Sequence, residues 1–504
     1  MSEASDGIGG MAGRAARGAA WIVAARFVMR SFGFVNTIIL ARLLVPEDFG
    51  LVAVAMTAMQ LLQGFSDIGI SQAVVRFHDA DRDDLDTLFT LGAVRGSVIA
   101  FLLCALAPLA AQFYGDPRMF WVFVGIAFQP FLMGLLNPRF FEFERNLDFS
   151  KEFISNAVNK FAGVAVSIVV AVVFRTYWAI ILGVVTSAAI QLALSYVLRP
   201  SLPRFTFKSF KKVIGFSGWL TGVSFVAALN NKLDAFVLAR VVGHTGTGVY
   251  YVGKQIGEMP TNELAAPIAR AIYPGLSSLQ GNRERMRTAY LRGVEALAAV
   301  AMPAALGFAF VANEIVPLLL GDKWLEAIPV VQVLTPILGL QTLFLATQFY
   351  AMALGETRLV FFRELIFFLV RFPTFLWASI HFGLDGAIYA TGGCGLIHVL
   401  LNLTLYSRAT RRPFWEPLWQ ARRSFAAIGA MSVYFLLLRP HFGALLEAPL
   451  LARLVTDVAI GGVLFTGAHL ALWRLEGEPS GAEQFLLGIA KSAVARFRGS
   501  RASA

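Results

Sequence analysis

Arg26 and Arg30 stand four residues apart inside the apolar run 19–41, so a helix there carries both guanidinium groups on one face. Other ionisable residues interrupt apolar runs in the same way: Asp67, Arg95, Lys160 beside Asn156 and Asn159, and the string Asn230-Asn231-Lys232-Leu233-Asp234. Lys254, Glu258, Glu263 and Arg270 follow, then Arg292 with Glu295, and Arg363, Glu364 and Arg371. A charge at the centre of a membrane helix costs roughly 2.5–3.5 kcal/mol on insertion scales, so keeping this many calls for a reason. The chemistry they would support is passage of an anionic headgroup. A desolvated phosphate needs several donors and fixed charges around it; Arg gives bidentate donors and Lys a compact point charge. The candidates for such a cationic cavity are Arg26, Arg30, Lys232, Lys254, Arg95, Lys160, Arg270, Arg292, Arg363 and Arg371. Asp67, Asp234, Glu258 and Glu263 are candidates for balancing that charge or for titrating with a coupling ion. The plainer alternative for each is a snorkelling side chain or a structural ion pair near an interface. No GxSxG, Walker A, HExxH or nucleotide fingerprint occurs in context, so no enzyme activity, cofactor or metal site is expected.

The elements that would position these residues are membrane helices. Of 504 residues 57% are apolar and only 15% charged, where a soluble chain carries about 25%. The first six candidate spans are 19–41, 50–72, 88–112, 119–138, 153–174 and 177–198. Six more are 213–239, 249–272, 289–312, 327–350, 359–382 and 384–406, and a weaker final pair is 424–438 and 450–473. The expected class is therefore an all-α integral membrane protein of about fourteen helices, two six-helix lobes plus a terminal pair. In domain terms this gives a cytoplasmic segment 1–18, an N-lobe 19–198, a basic Pro-containing linker 199–212 and a C-lobe 213–406. A basic loop 407–423, the pair 424–473 and a tail 474–504 complete it. The formal net charge of +11 resides in short loops between apolar runs, the pattern of cytoplasmic membrane loops and not of nucleic-acid binding. Counting Lys and Arg on alternate loops places both termini in the cytoplasm. Cys104 and Cys394 lie inside apolar runs and read as packing residues, and the acidic stretch Asp79–Asp86 reads as a solvated loop.

An internal repeat organises the chain. Sliding it by 198 residues puts Trp21 on Trp219, Phe27 on Phe225, Leu40-Ala41-Arg42 on Leu238-Ala239-Arg240, Gly50 on Gly248 and Val54 on Val252. An even number of helices in the first half makes the repeat parallel, as in transporters whose site lies between like halves.

The run Ile39-Leu40-Ala41-Arg42-Leu43-Leu44-Val45-Pro46-Glu47-Asp48-Phe49-Gly50-Leu51-Val52-Ala53, followed by Phe65-Ser66-Asp67-Ile68-Gly69, resembles the Wzx-type polysaccharide flippases, closest to their colanic-acid exporter branch. These belong to the multidrug/oligosaccharidyl-lipid/polysaccharide exporter superfamily. The resemblance implies a V of two six-helix lobes working by alternating access around a cationic cavity, in the bacterial inner membrane. It implies an undecaprenyl-diphosphate-linked oligosaccharide moved from the cytoplasmic to the periplasmic leaflet, for exopolysaccharide or lipopolysaccharide synthesis. A polymerase and glycosyltransferases are then candidate partners beside the lipid substrate and the bilayer. By resemblance Arg26, Arg30 and Lys232 match basic residues facing the cavity, and Arg42 a structural hairpin arginine. The final helix pair is similar to that of fourteen-helix lipid II flippases, so a lipid II substrate stays open. So do a cation-coupled drug antiporter and a non-transporting scaffold for polysaccharide synthesis.

Overall fold

A computed structural model describes residues 32–65, 82–145, 149–210, 226–230, 232–261, 276, 279, 281–443 and 447–479. The chain divides into two compact units, Met1–Tyr251 and Val252–Ala504. Among the described residues there is no strand. Among the described residues six helices are long and apolar enough to cross a membrane.

The first unit contains α1 (Phe32–Leu43), α2 (Pro46–Phe65), α3 (Arg82–Tyr114), α4 (Arg118–Gly134), α5 (Phe149–Phe174), α6 (Trp178–Leu198) and α7 (Asp234–Val241), and α8 (Gly243–Gly257) begins there. Pro46 opens α2, where its fixed φ suits a helix and its missing N–H is not needed; Glu47 and Asp48 then face the positive end of the helix dipole. α3 pairs with α4 and α5 with α6. The first pairing is close because no side chain intervenes: a Cβ on Gly96 would lie 2.4 Å from the Pro130 carbonyl oxygen, and one on Gly134 2.7 Å from that of Gly92. Small residues at the crossing are how helices associate where lipid removes the hydrophobic drive. Outward faces are apolar, with Phe101 72% and Val172 56% exposed, as lipid contact requires.

The repeat appears in the structure as a local two-fold contact. A Cβ on Gly50 would lie 1.8 Å from the His244 carbonyl oxygen and 3.0 Å from the Gly248 nitrogen. A Cβ on Gly248 would lie 1.8 Å from the Pro46 oxygen and 3.0 Å from the Gly50 nitrogen. Both residue pairs are 198 apart in sequence, so α2 and α8 cross on their own symmetry-related glycines. Leu40, Ala41 and Val54 match Leu238, Ala239 and Val252 in being buried, while Arg42 and Arg240 are both exposed.

Residues 199–210 are strapped across one end of the first unit. Asn137, fully buried, donates through Nδ2 to the Arg199 carbonyl at 2.8 Å and to Ser201 Oγ at 2.9 Å, and its Oδ1 accepts from the Arg139 N–H at 3.1 Å. The Thr206 N–H donates to Thr90 Oγ1 at 2.9 Å, Lys208 pairs with Asp83 at 3.0 Å, and Phe205 packs on Phe89 with centroids 5.3 Å apart. This corrects the expectation of a solvated acidic loop. Asp83, Asp84 and Asp86 open α3, where the helix dipole favours them, and Asp84 and Asp86 are buried. Residues 79–81 of that stretch lie outside the described residues. Asn137→Ala removes two donors to the strap and is expected to cost about 2 kcal/mol. Trypsin cleavage at Arg204 and Lys208, followed by mass spectrometry, should accelerate several-fold; an unchanged rate would show that the strap is held by its other contacts.

The second unit contains α9 (Arg283–Phe310), α10 (Ala312–Leu320), α11 (Ile328–Leu343), α12 (Leu345–Ala353), α13 (Thr357–Thr410), α14 (Glu416–Gln420), α15 (Arg422–Val433) and α16 (Leu450–Leu475). At 54 residues α13 is far too long for one crossing of a hydrocarbon layer about 30 Å thick. It breaks at Gly383, whose φ of 60° and ψ of −136° suit only glycine, in the gap expected between 359–382 and 384–406. α15 and α16 fall where the weaker final pair was expected, and pack with α9 around buried Leu297, Met302, Met431, Phe435 and Phe465. The Phe310 and Phe435 rings stack there at 4.7 Å.

Candidate functional site

A cavity of about 440 Å³ opens inside the first unit between α1, α4, α5 and α6. Its polar lining follows helical spacing. On α5, Asn156, Asn159, Lys160, Gly163 and Ser167 recur at three- and four-residue steps and so share a face. On α6, Gly183, Ser187 and Gln191 do the same at four-residue steps. Asn36 from α1 and Gln129 from α4 complete it. The Asn159 amide donates to Gln191 Oε1, tying α5 to α6 at one level. At another level the helices touch directly, since a Cβ on Gly163 would lie 2.7 Å from the Gly183 carbonyl oxygen. The Lys160 ammonium reaches across to α1, 2.9 Å from where a Cβ on Gly33 would stand. Asn36 Oδ1 and Ser167 Oγ are buried and have no hydrogen-bond partner among the described residues. At roughly 30 Å³ per water, a space this size has room for about fifteen.

Arg95 stands behind this cavity. It donates to the Gln63 carbonyl at 2.9 Å near the C-terminal end of α2, where a cation complements the helix dipole, and Gln63 Nε2 donates to Gln129 Oε1 at 3.3 Å. The chain Arg95–Gln63–Gln129 thus orients one wall of the cavity.

The other candidates are placed as follows. Asp234 is buried and accepts from the Tyr250 hydroxyl at 3.3 Å, and Lys232 is half-buried two residues before it. Lys254 is half-buried in the second part of α8, Glu258 is half-buried at the turn just past its end, and Arg292 is exposed on α9. Arg363 is buried and committed to protein oxygens: it donates to Asn402 Oδ1 at 2.5 Å, to Gln348 Oε1 at 3.2 Å and to Glu364. Arg371 is buried with its guanidinium 5.8 Å from the Phe375 ring centre. Arg26, Arg30, Asp67, Glu263 and Arg270 lie outside the described residues. The structure therefore gathers Lys160, Asn156 and Asn159 around one space.

Several features escaped the sequence reading. Around the α2–α8 crossing, Arg118 pairs with Glu47 and, at 2.8 Å, with Asp116, which also lies 3.6 Å from His244 Nε2. Burial would raise the Asp116 carboxyl, but hydrogen bonds from Arg118 outweigh it and hold the group below the usual carboxylate range. In the second unit Glu314 is fully buried between Arg439 at 2.5 Å and Arg453 at 2.6 Å, and Asp457, also fully buried, accepts from Arg439 and from the Tyr434 hydroxyl. A second buried group joins Arg423 and Gln420 to Glu295. The only signal for these pairs in the sequence was the presence of the charges.

Span-length apolar helices with lipid-type outer faces, and no strand among the described residues, mark an integral membrane protein. Residues 39–329, more than half of the chain, match the model of the family described as "Polysaccharide biosynthesis protein", and the chain belongs to that family. It is 27% identical over 326 residues to the lipopolysaccharide biosynthesis protein WzxC of Escherichia coli K12, covering 63% of this chain and 65% of that relative. It is 24% identical over 464 residues to the succinoglycan biosynthesis transport protein ExoT of Rhizobium meliloti, covering 89% and 91%. Among solved structures, the lipid II flippase MurJ in an inward closed conformation superposes with a TM-score of 0.69 at 14% identity, over 89% of this chain and 98% of that one. An inward-facing multidrug transporter of the MATE family superposes with a TM-score of 0.59 at 14% identity, over 79% and 95%. These likenesses establish the fold.

Proposed function

We propose that the chain moves a saccharide linked to undecaprenyl diphosphate from the cytoplasmic to the periplasmic leaflet of the bacterial inner membrane, by alternating access and without enzymatic chemistry. The observation that carries this reading is the cavity of the first unit, with a polar side chain from every contributing helix and Lys160 among them, in a chain of a polysaccharide biosynthesis family. A sugar headgroup cannot cross hydrocarbon unless its hydroxyls exchange water for protein partners, and amides and hydroxyls at helical spacing supply them. The diphosphate needs cations; Arg26, Arg30 and Lys232 are assigned to it by their resemblance to the family's cavity-facing basic residues, with Lys160 beside the sugar. The loss of one charged hydrogen-bonding partner costs about 1.5–3 kcal/mol, roughly ten- to a hundredfold in affinity.

In a strain lacking its own copy, the chain carrying Arg26→Gln and Arg30→Gln together is expected to export less than a tenth of the wild-type polymer. Membrane abundance, read by immunoblot, should be unchanged. Full export by that variant at normal abundance would defeat the cationic path.

A further inference from the structure

Building on the transport reading, we infer that the cavity between α1, α4, α5 and α6 is the seat of the sugar portion of the substrate, and that the diphosphate binds elsewhere. The argument is one of donors and acceptors. A phosphate oxygen only accepts hydrogen bonds, so a phosphate site presents donors and positive charge. This cavity presents a mixed balance, donors and acceptors side by side with little positive charge among its described lining residues. Among its described lining residues Lys160 is the single cation, and the rest of its polar lining is amide or hydroxyl. Among the described residues, its two buried atoms without a hydrogen-bond partner are an amide oxygen, Asn36 Oδ1, and a hydroxyl, Ser167 Oγ. The amide oxygen is an acceptor that a phosphate would leave unsatisfied and push against. A sugar hydroxyl donates to it and accepts from a neighbour, and each Asn or Gln side chain offers a donor and an acceptor side by side, matching vicinal hydroxyls.

Size and rigidity agree. At about 440 Å³ the space falls within the range of roughly 300–1,000 Å³ typical of small-molecule pockets. The walls are held in place without the ligand, by Asn159 on Gln191, by the Gly163–Gly183 contact and by Gln129 on Gln63. Lys160, the cation among the described lining residues, places positive charge where an acidic sugar or an acidic substituent would sit, as a selectivity element.

The test uses full-length protein in lipid nanodiscs and two probes. One is the oligosaccharide freed by mild acid from the diphosphate lipid of the producing strain; the other is inorganic diphosphate. The wild type is expected to bind both without competition. Asn156→Leu combined with Gln191→Leu should weaken the oligosaccharide roughly tenfold or more and leave diphosphate within about twofold. The gentler single changes Asn156→Ser and Gln191→Ser, each expected to cost about threefold, serve if the double variant does not reconstitute. Competition between the probes, or loss of diphosphate alone in the amide variants, would overturn the assignment. Failure of the underlying reading looks different: oligosaccharide binding would persist and respond to Asn156 and Gln191, while polymer export survived without the chain.

Discussion

Alanine at Gly50 is expected to cost the protein most of its export and several degrees of thermal stability. The new methyl carbon would stand 1.8 Å from the backbone oxygen of His244, well inside van der Waals contact. No rotamer change relieves a clash with backbone, so α2 and α8 must separate by more than an ångström. That strains the Arg118, Glu47, Asp116 and His244 contacts around the crossing. Overpacking of this kind costs about 1–3 kcal/mol where side chains can yield, and here they cannot. By the local two-fold relation Gly248→Ala meets Pro46 in the same way and should show the same loss. Because both substitutions open one contact, the double variant is expected to be little worse than either single one. Gly429→Ala is the control: it lies exposed in α15 with nothing within 4 Å of its Cβ position, and alanine there is expected to be neutral or to stabilise by about 1 kcal/mol. Melting followed by intrinsic fluorescence in detergent, with polymer export alongside, reads all four. Wild-type melting for both Gly50→Ala and Gly248→Ala would mean that the crossing is not a fixed contact.

This contact shows how far the sequence was legible. The coincidence of Gly50 with Gly248 at a constant offset of 198 could be read from one chain, because a repeat is a property of sequence. That the two glycines pack on each other could not, since it depends on how repeated hairpins meet in space. The cavity divides along the same line. Lys160 with Asn156 and Asn159 stood out because three polar residues on one face of an apolar helix cost too much to be incidental. Ser187 and Gln191 are single polar residues a turn apart on α6, and Asn36 and Gln129 are isolated on theirs; only packing assembles them. Charge pairing failed most completely. Arg423 falls in the expected basic loop 407–423, Arg439 just past the span 424–438 and Arg453 at the start of the span 450–473, yet each reaches a buried carboxylate more than a hundred residues away. The acidic run before α3 was misjudged for a related reason, because the strap that covers it comes from residues 199–210.

Those distant pairs set the second large effect. Glu314 in α10 accepts from Arg439, after α15, and from Arg453 in α16, and no part of its side chain touches solvent. Removing the charge with Glu314→Gln takes from both Arg439 and Arg453 a buried carboxylate partner, while Arg439 keeps its pair with Asp457. Breaking a buried ion pair by deleting one partner costs about 3–5 kcal/mol, so this variant should melt well below the wild type. Arg439→Met should be comparably severe, because it strips Asp457 as well as Glu314. Replacing Glu314, Arg439, Arg453 and Asp457 together by apolar residues of similar size should recover much of the loss, since desolvation of four charges no longer opposes folding. The group joining Glu295, Gln420 and Arg423 lies at the other end of α15, roughly 20 Å along the helix. At that separation Glu314→Gln and Glu295→Gln should add to within about 0.5 kcal/mol. Additive losses would identify two independent anchors holding the final helix pair to α9 and α10. A double variant no worse than Glu314→Gln alone would mean instead that the pair comes away as one piece once either end is cut.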